Sequence, residues 1–308
     1  MKDFLYIAFL ALSLVACNKD HDIIIESPSQ PDPESPSDFP FTSDSFSVLE
    51  YLPAPGQFIN DVPSGFGEIK TMKEAVDYAQ MRLDNYDYVS LGAWGGYIIV
   101  KSDGAISNSG DYDFAIGGNS FDSSNEPGIV WVMQDTNGNG ATDDVWYELK
   151  GSYYNKGGYE KDFWVTYFRP EADSPTPWID KYGVRGQIQW LGNHHDQPYY
   201  YPEWINEDSF TLYGSLLPSL TKQNPITGLW SIAPFEWGYV DNAGVDASLA
   251  SLNGKTLQLN CFRISDAVKD DGSPANLKYI DFIKVQSAVC GNSGWLGESS
   301  TEVCTFLK

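Results

Sequence analysis

Gly128-Ile129-Val130-Trp131-Val132-Met133 and Phe163-Trp164-Val165-Thr166-Tyr167-Phe168 decide how this chain folds. Each is a strand-length run of β-branched and aromatic residues, apolar on both faces, as strands packed between layers require. Outward from them, residues 97–100, 145–149, 209–213, 256–264 and 279–285 share that texture. Ser102-Asp103-Gly104, Asn137-Gly138 and Asn253-Gly254 read as the turns that separate strands. One segment differs. Thr71-Met72-Lys73-Glu74 has the form of a capping box, and Met72, Ala75, Val76, Ala79 and Leu83 recur behind it at helical spacing. A single helix of about four turns ending at Asn85 is expected, its apolar stripe laid on an all-β sandwich. No repeat of fixed period is visible, which disfavours a propeller or solenoid.

The 308 residues carry 42 acidic and 19 basic side chains, a formal charge of −23. Nucleic acid and anionic membrane surfaces are poor partners for such a chain, since both are bound through basic clusters. With 28 Gly, 18 Pro and 15% aromatic residues, the composition suits short strands and tight turns and excludes a long helical bundle.

Residues 1–16 read as a secretory signal: Lys2, then about a dozen mostly apolar residues, too few to span a bilayer. Leu14-Val15-Ala16-Cys17 resembles the lipobox of bacterial lipoproteins, which makes Cys17 the expected lipidation site; an ordinary cleaved signal is the alternative. Membrane attachment would then be covalent, through the lipid alone. Asn18-Lys19-Asp20-His21-Asp22 resembles a short export signal for outer-surface lipoproteins, or is simply a charged tether. Residues 17–44, with Pro28, Pro31, Pro33, Pro36 and Pro40, form an extended spacer reaching roughly 50 Å. Residues 45–308 make one β-sandwich domain that binds a ligand.

Asp135-Thr136-Asn137-Gly138-Asn139-Gly140-Ala141-Thr142-Asp143-Asp144 alternates oxygen-bearing side chains around glycines, which suits a hard cation. Asp135, Asn137, Asn139 and Asp143 are the expected ligands of a structural Ca²⁺; an ion-free Asn-Gly turn is the alternative. Trp146 stands where an EF-hand has its glutamate. Catalytic signatures are missing: there is no His-Glu-x-x-His pair and no Gly-x-Ser-x-Gly elbow, and the expectation is a protein that is not an enzyme. Aromatic loops are plentiful instead. Tyr199, Tyr200, Tyr201, Trp204 and Trp237 are the expected ligand contacts, although rings between strands also plug sandwich ends. His194 and His195 could ligate a metal or serve as neutral hydrogen-bonding groups. A Cys290–Cys304 disulfide would close a loop of roughly 15 residues and contribute about 3 kcal/mol, with Cys261 a buried free thiol on the same strand face as Leu257 and Leu259.

Five stretches carry a resemblance. Residues 91–100 (LGAWGGYIIV), 108–119 (NSGDYDFAIGGN) and 126–132 (EPGIVWV), with 280–285 (IDFIKV) and 294–303 (GWLGESSTEV), resemble Bacteroidetes cell-surface lipoproteins often labelled PKD-domain proteins. The resemblance runs from about Pro53 to Val303. It implies a jelly-roll-like (galactose-binding-like) sandwich on the outer membrane, facing outward. It further implies capture of a bulky nutrient, cobalamin (vitamin B12) foremost, for a TonB-dependent outer-membrane transporter. A calcium-stabilised module binding a glycan is the alternative.

Overall fold

The computed structural model describes Phe41 and residues 45–308. The signal, Cys17 and the tether expected over residues 1–44 lie, Phe41 apart, outside the described residues. Among the described residues no helix is long and apolar enough to cross a membrane.

The fold is an all-β sandwich of antiparallel sheets. The largest sheet has six strands in the order Phe46–Leu52, Tyr97–Ser107, Tyr279–Ser287, Gly128–Met133, Trp146–Leu149, Ala267–Val268. A four-stranded sheet runs Ala247–Leu252, Lys255–Phe262, Phe114–Gly118, Thr305–Leu307, and another runs Ser209–Leu216, Glu160–Phe168, Thr176–Asp180, Arg185–Ile188. Alternation assigns the faces of the large sheet. Ile98, Val100, Val130, Val132, Ile283 and Val285 share one apolar core with Phe114, Ile116, Phe262 and Phe306 of the second sheet. On the opposite face stands Gln286, whose Nε2 donates to the Tyr213 carbonyl at 2.7 Å, and Glu148, which accepts from Ser215 Oγ at 2.6 Å. These polar bonds dock the third sheet's Ser209–Leu216 strand.

The helix forms over Met72–Asp84, and both halves of the Thr71–Glu74 capping box are made. Its buried face is Ala75, Tyr78, Ala79 and Leu83; Met72 is exposed, so the stripe is turned from the expected one towards Tyr78. The helix covers a sheet edge. Gln80 accepts the Val48 N–H at 2.7 Å and donates to the Phe46 carbonyl at 3.1 Å, next to a register shift between Val48 and Glu50.

Two sequence expectations need correction. Ser102-Asp103-Gly104 lies inside the strand Tyr97–Ser107 as a bulge: pairing with the Tyr279–Ser287 strand jumps from Ile280↔Ile106 to Phe282↔Lys101. Gly104 takes the left-handed φ of 80° that the bulge needs. The Cys290–Cys304 disulfide is absent, and both thiols are free. Cys304 is buried in a cluster with Ala115, Leu257, Leu259 and Cys261, whereas exposed Cys290 follows Val289 in a separate cluster around Leu217 and Phe235. Packing thus holds Cys304 in the core and leaves Cys290 at the surface beside another cluster. Cys261 is a buried free thiol on the Lys255–Phe262 strand, where burial pushes its pKa above the ordinary thiol value.

Candidate functional site

The five expected ligand contacts divide. Tyr200, Tyr201 and Trp204 are core residues, at most 4% exposed. Tyr200 Oη donates to the His195 carbonyl and accepts the Leu191 N–H; Tyr201 Oη donates to the Glu207 carbonyl. Trp204 lies against Phe66 with ring centres 6.1 Å apart. Asn60 holds the loop inward, its Nδ2 donating to the carbonyls of Tyr199 and Tyr201 at 2.8 Å. Tyr199 is half-buried beside them. The rings of Tyr200, Tyr201 and Trp204 plug the sandwich and leave no face for a ligand.

Trp237 is different. Half-buried, it lines a cavity of about 670 Å³ with Tyr112, Tyr154, Lys150 and Arg263. Its backbone is fixed by Ser152, whose N–H donates to the Trp237 carbonyl at 2.9 Å. Next to it Gly238 (φ 87°) abuts Gly151, where a Cβ would come within 2.5 Å of the Gly151 Cα. The Arg263 guanidinium lies 4.2 Å from the Tyr112 ring centre, and Lys150 Nζ is 3.9 Å from Asp266. Deeper in the wall, Asp246 accepts the Gly238 N–H at 2.7 Å, and burial pushes its pKa up to about 6. The cavity therefore offers aromatic faces, two cations and the carboxylates of Asp246 and Asp266.

The calcium-type loop brings its expected residues together. Asp135 accepts N–H groups from Gly138, Asn139 and Gly140, and Asp143 accepts the side-chain amides of Asn137 (3.3 Å) and Asn139 (3.0 Å). Asn139 thus bridges the two carboxylates. The loop is closed by its own hydrogen bonds, with side-chain amides donating to Asp143. Among the described residues, no three His, Cys, Asp or Glu side chains are gathered as a metal centre.

A second concave region escaped the sequence reading. Phe58 lines two adjoining cavities, of about 250 and 260 Å³. The first is walled by Glu126, Glu298, His194, His195 and Trp295, the second by Arg82, Tyr78, Ser90 and Glu302. Behind them runs a hydrogen-bonded carboxylate network. Glu126 accepts the Ser300 N–H, Ser300 Oγ donates to Glu302, and Ser90 Oγ lies 2.6 Å from Ser300 Oγ. Asp241 accepts the N–H groups of Asn119 and Glu302. Burial pushes Glu298 and Asp241 up to about 7 and Glu126 and Glu302 well above the usual carboxylate range; the charges of Glu126 and Asp241 add to the shift at Glu302. His194 is exposed, and His195 Nδ1 sits 3.4 Å from Asp61, its ring edge-on to Phe58. Asn119, Glu126, Glu298 and Glu302 come from three separate stretches of chain that the fold draws to one place. The signal present in the sequence was the pair of glutamates in Glu298-Ser299-Ser300-Thr301-Glu302.

No protein-family model matches the chain, and no curated protein is similar to it.

Proposed function

We propose that this chain is a lipid-anchored outer-membrane protein, facing outward, that captures cobalamin and passes it to a TonB-dependent transporter. The cavity around Trp237 carries the reading. Cobalamin is a bulky ligand with flat ring edges and a phosphodiester in its nucleotide tail. Tyr112, Tyr154 and Trp237 supply aromatic area at low entropy cost, and Arg263 and Lys150 supply charge for a phosphate. A cavity of about 670 Å³ accommodates a large part of such a molecule. In the same reading the 135–144 loop holds a structural Ca²⁺ through Asp135, Asn137, Asn139 and Asp143, replacing the amide donors now facing Asp143. Capture without chemical conversion agrees with the absence of nucleophile motifs from the sequence.

Calorimetry of the chain from Asn18 onward against cobalamin and an oligosaccharide panel tests this. Cobalamin binding at micromolar concentration or tighter, weakened at least tenfold by Trp237→Ala, supports the reading. Binding of oligosaccharides instead makes the protein a glycan-binding module, and binding of neither removes both.

A further inference from the structure

We propose that the cleft between Phe58 and Trp295 is a second ligand site, separate from the Trp237 cavity, and that it takes a small primary ammonium ion on a short apolar body. The polar end of the cleft is built and unsatisfied. Glu298 is 3% exposed; its Oε1 accepts the Gln57 N–H at 2.7 Å, and its Oε2 has no hydrogen-bond partner. Ser293, equally buried and on the same wall, also has a hydroxyl without a partner. Glu126 completes this end.

Buried carboxylates are costly unless a cation or sufficient donors compensate them. Among the described residues neither Glu126 nor Glu298 forms an ion pair with Lys or Arg. The charged and titratable groups around them are mostly acidic: Asp61, Asp241 and Glu302, with His194 and His195 the basic side chains on the cavity wall. Arg82 lines the neighbouring cavity and pairs with Asp87 at 3.7 Å. Below about pH 7 a proton on Glu298 compensates it; above that pH, with no Lys or Arg at its unpartnered Oε2, the compensating charge is expected from a ligand.

Its chemistry follows from the walls. Two carboxylates are far fewer oxygens than Ca²⁺ requires, roughly six to eight. A primary ammonium has three N–H donors, enough for Glu298 Oε2, Ser293 Oγ and Glu126. Phe58, Ile232, Leu296 and the 56%-exposed Trp295 offer apolar surface to a short carbon chain and aromatic faces to a cation. An anion is repelled, and a quaternary ammonium has no N–H for Glu298.

The test is a ligand-observed NMR titration of the full chain in neutral detergent at about pH 8, above the value to which burial raises Glu298, and at physiological salt, which screens diffuse attraction to the acidic surface. The probes are n-butylammonium and its neutral counterpart 1-butanol. Butylammonium is expected to bind at least tenfold more tightly than butanol. Glu298→Gln, whose amide oxygen can still accept the Gln57 N–H, should erase that preference, while Trp237→Ala should leave it intact. Equal binding of the two probes in the unsubstituted chain overturns the proposal without recourse to any variant. A preference that survives Glu298→Gln, or vanishes with Trp237→Ala, overturns it as well.

Discussion

The backbone N–H of Gln57 donates to Glu298 Oε1 at 2.7 Å across 241 positions of chain. Gln57 Nε2 also donates to the Leu296 carbonyl at 2.7 Å, and Gln197 Nε2 donates to the Gln57 carbonyl at the same distance. Three distant segments are thereby fastened around one buried carboxylate. The arrangement fixes Glu298 and leaves its second oxygen buried without a hydrogen-bond partner.

Buried acids of this kind set the direction of the pH dependence. Glu298, Asp241 and Glu148 are pushed by burial to about 7, and Glu126 and Glu302 also lie above the ordinary carboxylate range. Between about pH 4.5 and about pH 7 the folded chain holds protons that the unfolded chain has released, so stability falls as pH rises through that window. The Tm should be higher near pH 5 than near pH 8. Glu302→Gln should flatten the slope. A Tm that climbs from pH 5 to pH 8 contradicts the assignment.

The loop aromatics separate by stability. Removing Tyr201 or Trp204, fully enclosed and packed on Phe210 and Phe66, should cost about 3–5 kcal/mol in chemical denaturation. Trp237→Ala should cost less than about half of that, since one face of the ring borders open space. Similar losses for Trp204 and Trp237 would place Trp237 in the core.

Calcium is tested by chelation. If the 135–144 loop holds the ion in the folded state alone, Ca²⁺ at 100 times its Kd adds about 2.7 kcal/mol of stability. EGTA should lower the Tm, and Asp135→Ala should make the Tm indifferent to EGTA. An unsubstituted chain whose Tm ignores both Ca²⁺ and EGTA has a hydrogen-bonded turn there and no ion.

Two glycines give opposite expectations. A Cβ on Gly96 would collide with the Leu91 carbonyl oxygen and the Ala54 nitrogen, both backbone atoms that cannot move aside. Gly96→Ala should destabilise by about 3 kcal/mol. Gly157 has open space around its missing Cβ and no left-handed φ, so Gly157→Ala should be neutral or stabilise by up to about 1 kcal/mol. Denaturant midpoints of the two variants check the pair.

Local chemistry made much of the fold legible. The run Gly128–Met133 is a strand end for end, and Thr71 with Glu74 start the helix where a capping box predicts. Asn253 and Gly254 take left-handed φ values of 49° and 76° in the hairpin between Ala247–Leu252 and Lys255–Phe262, the turn that an Asn-Gly pair favours. What failed depended on distant contacts. Nothing in residues 194–204 reveals that Asn60 will pin their carbonyls and turn Tyr200, Tyr201 and Trp204 inward. Glu126, Asp241, Glu298 and Glu302 are four among 42 acids, and each alone reads as a solvated surface charge. Only the folded chain removes them from water and places them together. Trp237 was legible as a loop aromatic outside the core because its surroundings are rich in Gly and Pro, whereas Lys150 and Arg263, which line the same cavity, carried no local signal.

The most direct measurement is a calorimetric titration of cobalamin into the unsubstituted chain and its Trp237→Ala variant under identical conditions. The proposed function predicts saturable one-to-one binding at micromolar concentration or tighter, with affinity falling at least tenfold in the variant. No heat of binding at micromolar cobalamin, or equal affinity in both chains, would contradict a ligand seated between Trp237, Tyr112 and Arg263.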